Sequence, residues 1–358
     1  MQFASDNTSG VAPEIIAALL RANEGFAPGY GTDALMTEVT RQIRALFEAP
    51  EAAVGLVATG TTANALSLAL YCPPWATIFC HSAAHIEEDE CNAPEFYTGG
   101  ATLTLVPGAH GRMTAEGLGR ALAASAQGGV HNAQRGMVSI TNVTEAGTVY
   151  TTAEVAALCA QAKVYGLPCH MDGSRFANAL VATGATPAEM TWRAGIDILS
   201  LGGTKNGCMG VEAVVIFDPA RAWEFELRRK RAGHLFSKHR YLSAQMQAYL
   251  DDGLWLRLAK QANAAAARMA AGLKTCDGVA QSHPVEANIM FPEWPAGTNA
   301  RLHAAGGTFK IWTLDDGRER ARLVTSWSTP DEHVDQLIDI VLQGDARHMQ
   351  AEGTRHAS

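Results

Sequence analysis

The feature that most limits what this chain can fold into is an alternation. Between residues 54 and 217, short apolar runs rich in β-branched residues are separated by helical patterns. VGLVA (54–58), ATIFC (76–80), ATLTLV (101–106), MVSIT (137–141), LPCHM (167–171), IDILSL (196–201) and VEAVVIF (211–217) each read as a strand. Residues 63–70 and 152–165 read as helices, the second with Val155, Leu158 and Ala162 on one face. A strand that is apolar at almost every position, not at every second one, needs cover on both faces. The expected fold class is therefore α/β, with a mainly parallel sheet flanked by helices.

After residue 217 the pattern changes. A helical region rich in Ala, Leu and Arg covers 221–273, with breaks near Gly233 and at Asp252-Gly253. Strand-like runs follow at 285–291, 308–314 and 322–327, with helices at 299–304 and 331–342. This reads as a smaller α+β domain. The expected division is a large domain over 1–247, a small C-terminal domain over 248–343 and a mobile tail over 344–358. A length of 358 residues, at the usual ~150 per domain, agrees with two domains.

Composition removes several classes. Hydrophobic residues make up 47% of the chain and charged residues 18%, enough apolar material for a sizeable core. The formal net charge of −8 gives no basic surface for general binding to nucleic acid or anionic lipid. Arg228, Arg229, Lys230, Arg231, Lys238 and Arg240 read mainly as a solvated helix face, and Glu87, Glu88, Asp89 and Glu90 as solvent-facing and helix-start charge, with no metal site. No Asp, Glu, Lys or Arg lies between Glu51 and Glu87. Yet GTTAN (60–64) and Pro73-Pro74 interrupt that stretch, and a membrane helix needs ~20 apolar residues in a row. No membrane segment is expected. The seven cysteines form no CxxC pair and the N-terminus shows no signal-peptide pattern, so reduced thiols in a cytoplasm are expected.

Polar residues at strand ends suggest the chemistry, because open parallel sheets bind ligands there. Gly60-Thr61-Thr62-Ala63-Asn64 follows one strand and opens a helix, so it is either a capped turn or a phosphate cradle. Asp172 ends LPCHM and is either a helix cap or the partner of a cationic ring nitrogen. Lys205 follows IDILSLGGT; a solvated loop lysine is the common case, and a Schiff-base lysine the functional one. Taken together they supply three handles for pyridoxal 5'-phosphate: phosphate, pyridinium nitrogen and aldehyde.

SDN, GYGTD, TGTTAN, AHIEEDECNAPEF, MDGSRFANA, LGGTKNG and RLVTSW occur in an order that resembles the threonine aldolases, of the low-specificity and phenylserine type. The resemblance extends to about residue 342. It implies a fold type I pyridoxal-phosphate enzyme, transferase-like in architecture. It further implies that Lys205 carries the cofactor, Asp172 binds its ring nitrogen, Gly60 and Thr61 its phosphate, and that His85 stacks on the ring. Arg175 serves cofactor and substrate, while Ser5 and Arg322 hold the substrate carboxylate. Tyr30 reaches towards a neighbouring subunit's site, and His131, with His85 as the alternative, acts as base on the β-hydroxyl. Lys238, with Arg231 as the alternative, takes the basic phosphate contact. Where relatives have YGDD this chain has Thr32 at the first acid's place.

The implied reaction is cleavage of L-β-hydroxy-α-amino acids (L-threonine, L-allo-threonine, phenylserine) to glycine and an aldehyde. The implied assembly is a homo-oligomer, a tetramer built as a dimer of dimers, with active sites at the dimer interface. The nearest rival is another pyridoxal-phosphate reaction on amino acids: β-elimination, transamination or racemisation. A nucleotide-binding module is the rival from another class, but GTTAN lacks the lysine of a Gly-x-x-x-x-Gly-Lys loop.

Overall fold

The computed structural model describes residues 1–355, with side chains described to residue 344. The chain forms two compact units: Gly10–Glu145 with Val149–Arg257, and Met1–Ser9 with Ala146–Thr148 and Leu258–Ser358.

The larger unit is built on seven strands: β1 (Ala53–Val57), β2 (Ala76–His81), β3 (Thr102–Val106), β4 (Gln134–Thr141), β5 (Cys169–Gly173), β6 (Ile198–Gly202) and β7 (Glu212–Ile216). Their order is β1-β7-β6-β5-β4-β2-β3. The pairs from β6 to β3 are parallel, whereas β7 runs antiparallel to both β6 and β1. β2, β5, β6 and β7 are buried along their whole length, as their apolar runs require. Ile78, Cys80, Met137 and Leu68 pack in one cluster, and Val57, Leu66, Val214 and Phe225 in another.

Helix starts follow local chemistry. Helix Gly60–Tyr71 begins where Thr59 accepts a hydrogen bond from the Thr62 amide. Helix Thr152–Lys163 opens with a capping box between Thr151 and Glu154. Helices Pro13–Ala22 and Ala34–Leu46 precede the first strand, in a stretch where no element was expected.

The smaller unit carries β8 (Ala280–Gln281), β9 (Ile289–Met290), β10 (Pro292–Trp294), β11 (Lys310–Thr313) and β12 (Glu319–Val324), all paired antiparallel. The expected single strand at 285–291 is divided between β9 and β10, with Pro292 opening the second, because a proline has no N–H for the ladder. The expected domain limits also shift. The N-terminal residues belong to this unit, since Phe3 donates to Thr308, accepts from Val324 and packs with Trp294, Phe309 and Leu323. The other limit moves from 247/248 to 257/258. The tail expected over 344–358 falls almost wholly outside the residues whose side chains are described, and helix Asp331–Arg355 occupies its backbone as far as Arg355. No described helix is long and apolar enough to cross a membrane.

Candidate active site

The edge of the large sheet where the parallel strands end collects polar residues. β1 leads into Thr59 and Gly60, β2 into His85, β5 ends with Asp172 and Gly173, and β6 leads into the turn Thr204–Asn206 that holds Lys205. β7, running the other way, starts at this edge with Glu212.

Asp172 is buried, with 1% of its surface exposed. Its Oδ1 accepts from the Ser174 amide at 3.0 Å and the Ser174 hydroxyl at 2.7 Å, and Oδ2 accepts from Asn64 Nδ2 at 3.0 Å. Burial pushes its pKa up, but His85, Lys205 and the Ser174 bond outweigh burial and hold the carboxyl below its ordinary value. Asp172 is thus an anion kept charged inside the protein. Three donors leave it a lone pair for one more.

The same Asn64 Nδ2 also donates to Glu90 Oε1 at 2.9 Å, and that oxygen lies 2.8 Å from His85 Nδ1. A continuous bridge therefore runs from His85 through Glu90 and Asn64 to Asp172. Solvent and helix-start charge were expected for most of this acidic run, with nothing to single out Glu90. Glu87, Glu88 and Asp89 are exposed, but Glu90 is buried, because Cys91 and Asn92 adopt left-handed backbone (φ 49° and 59°) and the chain reverses there. Glu90 Oε2 and Asn64 Oδ1 are buried and have no hydrogen-bond partner.

Behind Asp172 on β5, His170 is fully buried between two hydroxyls, with Nδ1 2.9 Å from Ser139 Oγ and Nε2 3.0 Å from Ser200 Oγ. Burial holds its pKa down to about 4, so it is a neutral crosslink over β4, β5 and β6. Glu212 Oε2 accepts from the Gly203 amide at 2.7 Å, two residues before Lys205, and burial pushes its pKa up to about 7. Asn206, just after Lys205, donates to Tyr249 Oη and to the Trp255 carbonyl, both at 2.8 Å. The lysine turn is thus held on both sides. A Cβ at Gly202 would come within 2.2 Å of the Ser174 carbonyl oxygen, so a glycine there lets the turns after β5 and β6 approach.

Arg175 is buried at the start of helix Phe176–Thr183. At the Gly60-Thr61 turn, Thr62 Oγ1 lies 2.8 Å from Thr59 Oγ1 and 3.0 Å from His234 Nε2. Neither Lys238 nor Arg231 contributes a hydrogen bond to that turn; both side chains are exposed. The basic segment does reach it, but through His234, a contact that reading only for cations missed. Arg229 of the same cluster is buried and donates to the Leu56 carbonyl and Glu226, so it is no part of a solvated face. Tyr30 is half exposed, its amide donating to the Ser237 carbonyl and its ring lying 4.8 Å from Lys230 Nζ. Beside it Asp33, the second acid position of GYGTD, is buried and caps helix Ala34–Leu46.

His131 lies apart from the other expected site residues of the large sheet. It is exposed in the turn Gly129–His131, before β4 begins at Gln134, whereas Asp172 pairs with Thr141 at the far end of β4. The eight residues of β4 span roughly 25 Å at the usual strand rise. His131 is therefore at the opposite edge of its own sheet.

In the smaller unit, Ser5 caps the turn Asp6–Thr8 by accepting from the Asn7 amide at 3.1 Å. Arg322 of β12 reaches the carbonyl of Ala4, next to Ser5, at 3.5 Å. The two residues expected to hold a carboxylate are neighbours.

A family model described as beta-eliminating lyase matches residues 2–294. The chain is 40% identical over 336 residues to a low specificity L-threonine aldolase of Pseudomonas aeruginosa, covering 94% of this chain and 95% of that one. A low specificity L-threonine aldolase of a Pseudomonas species matches to the same extent. Among solved structures, a Leishmania major threonine aldolase superposes with a TM-score of 0.90 at 29% identity, covering 96% of this chain and 98% of that one. A Sphingomonas wittichii serine palmitoyltransferase, at 14% identity and a TM-score of 0.66, shares the fold over 96% of this chain and 86% of its own. Family match and 40% identity along almost the whole chain agree with the strand-end lysine and aspartate: this chain belongs to the beta-eliminating lyase family.

Proposed function

We propose that this chain is a pyridoxal-phosphate-dependent aldolase that cleaves L-β-hydroxy-α-amino acids to glycine and an aldehyde. L-threonine and L-allo-threonine are its substrates, with phenylserine as a further one. The observation that carries the reading is the charged, fully buried Asp172 interacting with Lys205 and His85 at one sheet edge. An unpaired lone pair on a buried anion fits a cationic ring nitrogen, so the residues present suit the cofactor. Sequence similarity to named threonine aldolases favours the aldol reaction over transamination, racemisation or β-elimination.

When bound, the cofactor supplies an electron sink for the bond broken at Cα. The residues around it have separate tasks. Lys205 would hold the cofactor through its aldehyde. Asp172 keeps the ring nitrogen protonated, and the Gly60-Thr61 turn offers amides to the phosphate. Arg322 and Ser5, with Arg175, bind the carboxylate through charge-assisted hydrogen bonds and so fix the orientation of the Cα substituents. His85 covers the ring and takes the β-hydroxyl proton, the task that His131 cannot reach within its own chain. Lys238 and Arg231 serve the phosphate of another subunit.

The assembly we propose is a homotetramer, a dimer of dimers, with sites shared between subunits. Its support is the exposure of Tyr30, Arg231 and Lys238 together with the exposed rings of Phe26, Phe96 and Trp223. The compartment we propose is the cytoplasm, in keeping with seven free cysteines, six of them buried. Incubating the loaded protein with L-threonine, L-allo-threonine and phenylserine tests the reaction. Glycine and the matching aldehyde are expected, and a keto acid as sole product would overturn it. Light scattering tests the assembly, which a fully active monomer contradicts.

A further inference from the structure

Glu90 is the one member of the Glu87–Glu90 run that turns inward, and its side chain is fully covered while that of His85 is 22% exposed. A buried carboxylate is costly unless hydrogen-bonded, and here one oxygen takes both available donors, His85 Nδ1 and Asn64 Nδ2. Asn64 has two amide hydrogens, and its contacts direct one to Glu90 and the other to Asp172. His85 makes its hydrogen bond to Glu90 through Nδ1, which leaves Nε2 as the nitrogen directed away from Glu90. We propose that Glu90 is a positioning residue: it fixes His85 through Nδ1, keeps Nε2 as the working nitrogen, and through Asn64 couples that imidazole to Asp172. The proposal rests on the reading of this edge as the lyase site.

The electrostatics agree with the geometry. Burial raises Glu90, while the hydrogen bond to Glu90 raises His85, so both members of the pair hold protons more tightly than usual. With Glu90 ionised, the neutral ring carries its hydrogen on Nδ1, donates it to Glu90 and keeps the Nε2 lone pair free. Other charges acting on His85 are Asp172 and Glu145, which support its cationic form, and Lys205, which opposes it. A proton taken from a substrate hydroxyl at Nε2 gives an imidazolium whose charge Glu90 stabilises from the other side, the logic of a histidine oriented by a buried acid.

The test is a ring-labelled histidine NMR titration of the holoenzyme, with the His85 signal assigned by its loss in His85→Phe. In Glu90→Gln the His85 pKa is expected to fall by about one unit or more, and kcat to fall about tenfold or more with a smaller change in KM. A residue that only supports packing would lower thermal stability without moving that titration. An unchanged His85 pKa in Glu90→Gln overturns the proposal. Should Glu90→Gln not fold, Glu90→Asp keeps the charge but shortens its reach. His85 titration and kcat indistinguishable from wild type in Glu90→Asp would then overturn it. The titration is readable whatever the substrate, so a shifted His85 in a protein that does not cleave threonine refutes the function and leaves the positioning role standing.

Discussion

Lys205 and Asp172 owe their standing to what surrounds them, not to their identities. Lys205→Ala is expected to abolish turnover and the borohydride-reducible link to the cofactor while leaving the fold intact, because the neighbouring anchors at Gly203 and Asn206 remain. A reducible link persisting in that variant would remove Lys205 from its role. Asp172→Asn keeps a side chain able to meet Ser174 but loses the charge, so kcat should fall far more than KM changes. Equal damage to both would mean that Asp172 mainly positions the cofactor. Both residues were legible because each ends an apolar run. Glu90 was not, since four consecutive acids look alike until a left-handed turn at Cys91 and Asn92 buries one of them. His131 was legible only by resemblance, and its place before β4 depends on strand direction, which a local motif does not carry.

At the scale of elements, β2, β5, β6 and β7 were readable because full burial leaves an uninterrupted apolar signal. The reversal of β7 was not, because a strand buried on both faces looks the same in either direction. In the smaller unit the exposed strand β11 and the two-residue strands β8 and β9 give little pattern to read. The most sensitive joint is the close approach of the β5 and β6 turns. Gly202→Ala would place a methyl group 2.2 Å from the Ser174 carbonyl, and backbone cannot swing aside as a flexible side chain can. A loss of about 1–3 kcal/mol in unfolding stability is expected, with weaker cofactor binding as the Lys205 turn shifts. Urea unfolding and cofactor titration of the variant measure both, and a wild-type midpoint would show that the turns are not so tightly opposed.

For the whole molecule, stability against pH is set by buried groups that act in opposite senses. Glu212, raised by burial from 4.5 to about 7, binds a proton in the folded state over a range where the unfolded chain has lost it. Its contribution is present below pH 4.5 and disappears as pH rises to about 7. His170 and His239, both lowered by burial from 6.5 to about 4, do the reverse: their contribution is present above pH 6.5 and disappears as pH falls to about 4. The opposing slopes overlap between pH 4.5 and 6.5, so the wild-type protein should show only a shallow rise there. Glu212→Gln keeps an acceptor for the Gly203 amide but has no proton to lose. Unfolding free energies of this variant at pH 5 and pH 7 should therefore differ by about 2 kcal/mol more than those of wild type, with stability rising more steeply towards pH 7. If the two proteins keep parallel pH profiles, Glu212 does not titrate in that window, and its carboxylate is already charged beside Lys205.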